Sequence, residues 1–297
     1  MHITQEHIDE FLAEGHVLIP GFIPPEQLDR CRRDIARYFP DVDEFLATPE
    51  RYRKTDRFAT FPFEGDALNQ VTAHPETIAF LTKVLGTPQV RLGDSLLQAK
   101  YGPLCGPDRD QRLHLDGWEK TSLVCPRSDG HYLRVFAIVY YTDVTGELGP
   151  TFVVPRDRVG DTPMMTKEGH AAFDQKDYPE LYAGEQPIIA SAGSLLLFQG
   201  TTVHRGSAVR ADKGYRFAHF MNYHAATAPG AFQRSWSALP ADPKSAPIRR
   251  FIEKATPGQR ELIGFPTPED PYWNEDTLRG VADLYPGMDI TPYGGSR

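Results

Sequence analysis

Cysteine is scarce in this sequence. Cys31, Cys105 and Cys125 are odd in number and far apart, which suits neither a disulfide framework nor a zinc ribbon, so free thiols are expected. Long apolar runs are lacking too. None approaches the ~18 residues of a membrane span, and Met1-His2-Ile3-Thr4 does not open a signal peptide. A cytoplasmic protein without a membrane partner is therefore expected. Positive charge is in deficit, with 32 Lys and Arg against 40 Asp and Glu and a net charge of -8. Nucleic-acid binding normally shows a basic patch or stripe, and no such partner is expected. Internal repeats and low-complexity segments are also missing.

What is present is the composition of a globular protein, 297 residues of which 40% are apolar, enough to bury a substantial core. The 26 prolines and 25 glycines are spread along the chain and suggest a loop-rich β fold. Apolar spacing predicts helices from Ile3 to Glu14, closed by Gly15, after Pro24-Pro25, from Pro75 to Leu85, and near Ala246 to Lys254. Some eight short strands lie between 16 and 224, and they suggest a mainly β, two-sheet jelly roll with flanking helices. On the strand Arg91 to Tyr101, alternation puts Asp94, Leu96, Gln98 and Lys100 on one face. Such a face either meets solvent or lines a polar cavity. The long polar stretch 156–186 reads as a lid or as disordered chain.

The stretch from Arg112 to Trp118 carries the chemistry. Read as a strand, it projects His114 and Asp116 from one face, while Leu113 and Leu115 point into apolar surroundings. The spacing alone is weak, since His-x-Asp/Glu should occur roughly once by chance in such a chain. His7-Ile8-Asp9 and His74-Pro75-Glu76 also match it, but the first lies in a predicted helix and the second contains a proline. Two readings of His114 and Asp116 stand: a hydrogen-bonded pair at a polar strand end, or two corners of a metal site. Two histidines and a carboxylate around an iron with open positions form the facial triad of non-haem oxygenases. His204 follows the buried strand Leu195-Leu196-Leu197-Phe198. It is either the third ligand, facing the early strand from a late one, or a hydrogen-bonded core histidine. Arg216 lies in the strand Tyr215-Arg216-Phe217-Ala218, where a buried charge needs a partner. That partner is either an acidic residue on a neighbouring strand or the remote carboxylate of 2-oxoglutarate, gripped by the guanidinium fork.

Taken together, the opening Phe11-Leu12-Ala13-Glu14-Gly15-His16-Val17, the His114-Leu115-Asp116 strand, the Gly149-Pro150-Thr151 turn and the run from His204 to Arg216 resemble the phytanoyl-CoA dioxygenase family of Fe(II)/2-oxoglutarate-dependent oxygenases. The similarity covers roughly residues 3 to 224. It implies a double-stranded β-helix of the cupin-like kind, Fe(II) on His114, Asp116 and His204, and 2-oxoglutarate on Arg216. One domain over 1–297 would then comprise a support of helices and strands (1–90), a jelly-roll core (91–224) and a wrapping tail (225–297). Lys100 falls where the family often has a basic residue for the cosubstrate, and Gln98 shares its strand face. Ser207 sits one residue away from the family's serine. The resemblance also implies that O2 and 2-oxoglutarate give succinate, CO2 and oxidation of an unactivated C–H of a small molecule. Halogenases related to the family lack the carboxylate, so Asp116 favours oxygenation. Trp118 and Arg156 are expected at the substrate pocket, although Pro155-Arg156-Asp157-Arg158 departs from the family's usual Pro-Gly-Ser-His. A non-catalytic metal- or 2-oxoglutarate-binding member, or a cupin-like metalloenzyme of another class, are the alternatives.

Overall fold

The computed structural model describes residues 2–52, 57–116, 133–163, 172–228, 240 and 242–294. Trp118 and Cys125 lie outside the described residues. The strands in chain order are β1 (His16–Ile19), β2 (Phe58–Thr60), β3 (Val90–Tyr101), β4 (Leu113–His114), β5 (Arg134–Tyr140) and β6 (Thr151–Val153), then β7 (Ala172–Phe173), β8 (Gln186–Pro187), β9 (Leu195–Gln199), β10 (His204–Gly206) and β11 (Tyr215–Ala225). They form two antiparallel sheets. A six-stranded sheet runs β1-β9-β5-β11-β3-β2, and a five-stranded sheet runs β7-β4-β10-β6-β8.

The helices are α1 (Gln5–Glu14), α2 (Pro25–Ile35), α3 (Val42–Ala47), α4 (Pro49–Tyr52), α5 (Asp66–Thr72), α6 (Pro75–Leu85), α7 (Arg156–Val159), α8 (Pro179–Gly184), α9 (Ala246–Lys254), α10 (Pro257–Glu261) and α11 (Glu275–Leu284). Helix in fact outweighs strand, about 36% against 23%. The chain reads as mainly β because the sheets carry its strongest patterns, whereas helices α3 to α5 and, in the tail, α10 and α11 leave no clear periodic signal in the sequence.

Alternation on β3, β5, β9 and β11 sends one set of side chains toward the helices and the other toward the small sheet. Leu97, Ala99, Tyr101, Val135, Val139, Leu195, Leu197 and Tyr223 are buried in a core shared with α1, α2, α5, α6 and α9. Each fully buried side chain of leucine size contributes about 2 kcal/mol. Between the sheets lies a second, smaller cluster containing Ile138, Tyr140, Val153, Leu196 and Phe198.

α1 illustrates how local sequence positions the site. Thr4 caps it, accepting from the His7 N–H while Nδ1 of His7 accepts from the Thr4 N–H. The helix therefore starts at Gln5 rather than Ile3. Gly15 ends it at φ 80°, a left-handed conformation natural to glycine. Its carbonyl then accepts from Gln199 N–H at 2.8 Å and from the Thr202 hydroxyl at 2.7 Å. The turn after α1 is thus tied to the loop that precedes His204.

Candidate active site

The strand expected from Arg112 to Trp118 shrinks to Leu113–His114, and Asp116 lies in a turn. His204 comes from the late strand β10 and meets His114 on the early strand β4: the two are direct partners on adjacent antiparallel strands of the small sheet. Directly opposed residues point to the same face with Cβ atoms about 5 Å apart, and the two rings stand 4.5 Å centre to centre. The turn after β4 brings Asp116 beneath both. Its Oδ1 is 3.4 Å from His114 Nε2 and its Oδ2 is 3.3 Å from His204 Nε2.

Each imidazole is oriented by its other nitrogen. His114 Nδ1 donates to the Arg112 carbonyl at 2.8 Å, and His204 Nδ1 to the Thr202 carbonyl at 3.0 Å. These bonds turn both Nε2 atoms toward Asp116 and the cavity, where a bound metal would take the place of their protons, the orientation metal-binding histidines use. Burial would raise the Asp116 carboxyl, but the charge and hydrogen bonds of His204 and His114 outweigh it and hold the group well below the usual carboxylate range. One ligand atom from each of the three residues fits within a 4.8 Å cluster.

The triad opens onto a cavity of about 600 Å³ between the sheets, and Asp94, Leu96, Gln98 and Lys100 line it together. That face of β3 therefore meets a cavity rather than bulk solvent. Arg216 lines it too, although its side chain is only 1% exposed overall. Its Nη1 donates to the Gly149 carbonyl and its Nη2 to Gln98 Oε1 at 3.4 Å, while Nε has no partner among the described residues. Gly149 sits at φ 69°, and a Cβ there would press on the Ser207 carbonyl at 3.0 Å. Burial lowers the guanidinium pKa, opposed by Tyr140 and Asp108. Among the described residues, Arg216 has no carboxylate within ion-pair distance. Lys100, its direct cross-strand neighbour, is held differently. Its Nζ donates to the Ser207 carbonyl at 2.8 Å and pairs with Asp108 at 3.3 Å.

Two expected site residues lie elsewhere. Ser207 is buried, its hydroxyl donates to the Pro150 carbonyl at 2.7 Å, and it is not part of the cavity lining. Its carbonyl, not its hydroxyl, is what it offers to Lys100. Arg156 turns away from the cavity to donate to the Leu12 carbonyl at 2.8 Å and to Gln199 Oε1 at 2.6 Å. It satisfies a carbonyl of the last turn of α1, where a cation is favoured. Conversely, Asn222, Phe220 and Phe136 line the cavity and were not singled out from the sequence. The alternation that exposed β3 would have found the first two, since they follow Arg216 at even spacing on β11.

A jelly-roll cavity carrying two imidazoles and a carboxylate on one wall has the donor set of a mononuclear non-haem iron enzyme. The phytanoyl-CoA dioxygenase (PhyH) family profile matches residues 11–218. The chain belongs to the phytanoyl-CoA dioxygenase family. Solved structures of similar fold include the epimerase SnoN in complex with Fe3+, alpha-ketoglutarate and nogalamycin RO, with TM-score 0.56, 18% identity, and coverage of 75% of this chain and 84% of that one. The non-haem alpha-ketoglutarate-dependent carbocyclase SnoK matches with TM-score 0.55, 16% identity, and coverage of 78% and 94%. HygX from Streptomyces hygroscopicus with nickel, 2-oxoglutarate and hygromycin B bound matches with TM-score 0.53, 17% identity, and coverage of 78% and 90%. No curated protein sequence matches the chain. Among the described residues, no helix is long and apolar enough to cross a membrane.

Proposed function

We propose that the protein is an Fe(II)/2-oxoglutarate-dependent oxygenase that hydroxylates an unactivated C–H of a small molecule, releasing succinate and CO2. One observation carries this reading: the His114, Asp116, His204 cluster and the buried Arg216 open into the same cavity. The donor set suits Fe(II), with two neutral imidazole nitrogens and an ionised carboxylate. The unpartnered Nε of Arg216 suits a carboxylate, because a buried guanidinium lacking a counter-charge is costly. His114, Asp116 and His204 would hold the metal, which supplies the O2 chemistry when bound. Arg216 would grip the far carboxylate of 2-oxoglutarate, oriented by Gln98 and the Gly149 carbonyl, with Lys100 adding positive potential beside it. Epimerisation and ring closure, the activities named for SnoN and SnoK, are variants that the same site could support.

The test is anaerobic titration of the apoprotein with Fe(II) and 2-oxoglutarate, following the visible iron-to-ketoacid charge-transfer band. A band in the wild type, lost in His204→Ala and requiring far more 2-oxoglutarate in Arg216→Ala, supports the reading. A folded, iron-loaded protein without the band points instead to a non-catalytic member or a metalloenzyme of another class. Succinate release then reports candidate substrates.

A further inference from the structure

The cosubstrate reading uses one end of the large sheet's inner face, where Lys100 and Arg216 are cross-strand partners. Farther along the strands the face becomes apolar and aromatic. Leu96, Phe220 and Ile138 pair across β3, β11 and β5, and the rung beyond aligns Asn222, Phe136 and Phe198 across β11, β5 and β9. These six side chains belong to the cavity lining. At about 3.3 Å per residue, Asn222 lies roughly 20 Å along β11 from Arg216. That distance leaves the aromatic end to the substrate.

A file of rings leads here from the metal ligands. The Phe198 ring centre is 4.6 Å from that of His204, and Phe198 stacks on Phe136 at 5.4 Å with the two planes 19° apart. Gly200 leaves room for the edge of Phe136, since a Cβ there would come within 3.3 Å of its Cε2. One face of Phe136 is thus covered by Phe198, and the other turns toward β11. On that side its cross-strand partner is Asn222, and Phe220 is its diagonal neighbour. The Asn222 amide leans away over β3, where a Cβ on Gly93 would come within 1.9 Å of its Oδ1. Diagonal neighbours on a sheet stand about 7–8 Å apart, and a flat ring needs about 3.5 Å on each of its faces. The space between Phe136 and Phe220 is therefore about one flat ring thick. Both phenylalanines are only partly buried, and an aromatic wall inside a cavity is a surface that a ligand covers.

We propose that the substrate carries a flat, unsaturated ring that stacks on the β11-facing side of Phe136, and that Asn222 determines specificity by hydrogen bonding to a hydroxyl or carbonyl on the edge of that ring. Offset stacking adds to the burial of apolar area, and a puckered, saturated ring of the same size is too thick for the space. The amide of Asn222 offers both a donor and an acceptor, so either edge group can be bound. A ring without such a group would drive water off the amide and leave it unpaired, at a cost in affinity. At about 5 Å per stacked ring, the bound ring lies no more than roughly 15 Å from His204. The ring is therefore the recognition element, and the C–H to be oxidised belongs to the part of the molecule that reaches back past Phe198 to the metal ligands.

This inference rests on the oxygenase reading for the reaction but not for the binding. The test is a ligand-observed NMR titration of protein loaded with Zn(II) and 2-oxoglutarate, using 2-naphthol, its saturated counterpart decahydro-2-naphthol, and naphthalene as probes. The flat alcohol should bind tenfold or more tightly than the saturated one, and fivefold or more tightly than naphthalene. Phe136→Leu, and independently Phe136→Met, should remove the first preference, and Asn222→Leu the second, each leaving 2-oxoglutarate affinity within twofold. Equal binding of the two alcohols, no binding of 2-naphthol, or a ring preference that survives both Phe136 substitutions would overturn the proposal. A hydroxyl preference that is missing, or that survives Asn222→Leu, would overturn the role of Asn222. Failure of the oxygenase reading registers separately, as absence of 2-oxoglutarate binding in the wild type while the ring preference persists.

Discussion

Lys100 and Arg216 stand directly opposite each other on adjacent antiparallel strands, two cations in register on one cavity wall. Like charges so placed repel. Asp108 pairs with Lys100 at 3.3 Å, and no described carboxylate comes within ion-pair distance of Arg216. A dicarboxylate that fills this gap should stabilise the fold. At a hundredfold excess over Kd, binding adds about 2.7 kcal/mol, which for a chain of this size raises Tm by several degrees. Arg216→Met should fold and lose the shift. A thermal melt with and without 2-oxoglutarate decides, and an undiminished shift in Arg216→Met would refute the assignment.

The metal site makes a parallel prediction. Anaerobic Fe(II), or Ni(II) as an inert substitute, should raise Tm, and alanine at His114, Asp116 or His204 should abolish the rise. Thr202 links the site to α1, its hydroxyl donating to the Gly15 carbonyl and its own carbonyl accepting from His204. Thr202→Val should therefore weaken metal affinity by about tenfold, the range for groups that orient a ligand. Calorimetric titration with Ni(II) measures this directly, and unchanged affinity would assign Thr202 to the fold alone.

Acid sensitivity should come partly from behind the large sheet. His219 is fully buried, with Nε2 2.8 Å from the Ser95 hydroxyl and Nδ1 3.0 Å from the Tyr141 hydroxyl. Burial brings its pKa down from 6.5 to about 3. Between those values the unfolded chain binds a proton that the folded chain does not. Stability therefore falls as pH drops from 6.5 toward 3, by up to about 1.4 kcal/mol per pH unit. His219→Gln should flatten that slope by one proton in denaturant titrations at pH 7, 6 and 5. Parallel slopes in the two proteins would show that His219 is not responsible.

Arg156 gives a prediction that separates framework from pocket. With its guanidinium on Leu12 and Gln199, Arg156→Ala should lower stability by about 1–2 kcal/mol, less than buried hydrogen bonds to a charged group contribute because the residue is exposed. Metal and 2-oxoglutarate affinities should stay within twofold. Loss of either affinity at unchanged stability would return Arg156 to the cavity.

The sequence revealed what depends on local period and less of what depends on pairing. Gly15, α6 and the polar face of β3 all followed from spacing within one element. So did the isolation of Arg216 in an apolar strand. That His114 and His204 are neighbours in one sheet depends on a register between segments about ninety residues apart, which no local pattern encodes. The two-residue length of β4 was equally hidden, because Leu113 and Leu115 alternate well beyond the point where pairing stops. Arg156 was misplaced because it follows the Gly149-Pro150 turn in sequence, whereas its side chain reaches back to the first helix. The α11 helix had a readable signal, the Asn274 cap with Thr277 three residues on, obscured by the aromatic, proline-rich stretch before it.

The short length of β4 has a mechanical side. Two residues of ladder anchor this segment weakly to its neighbours, yet it carries two of the three proposed ligands. An ion bridging it to His204 would act as a cross-link, closing a loop of some ninety residues much as a disulfide does, and so restricting the unfolded chain as well as fastening the folded one. Metal and cosubstrate would then enter a site whose outer wall becomes rigid only on loading, so that amide exchange at Leu113 through Asp116 would slow in step with metal occupancy.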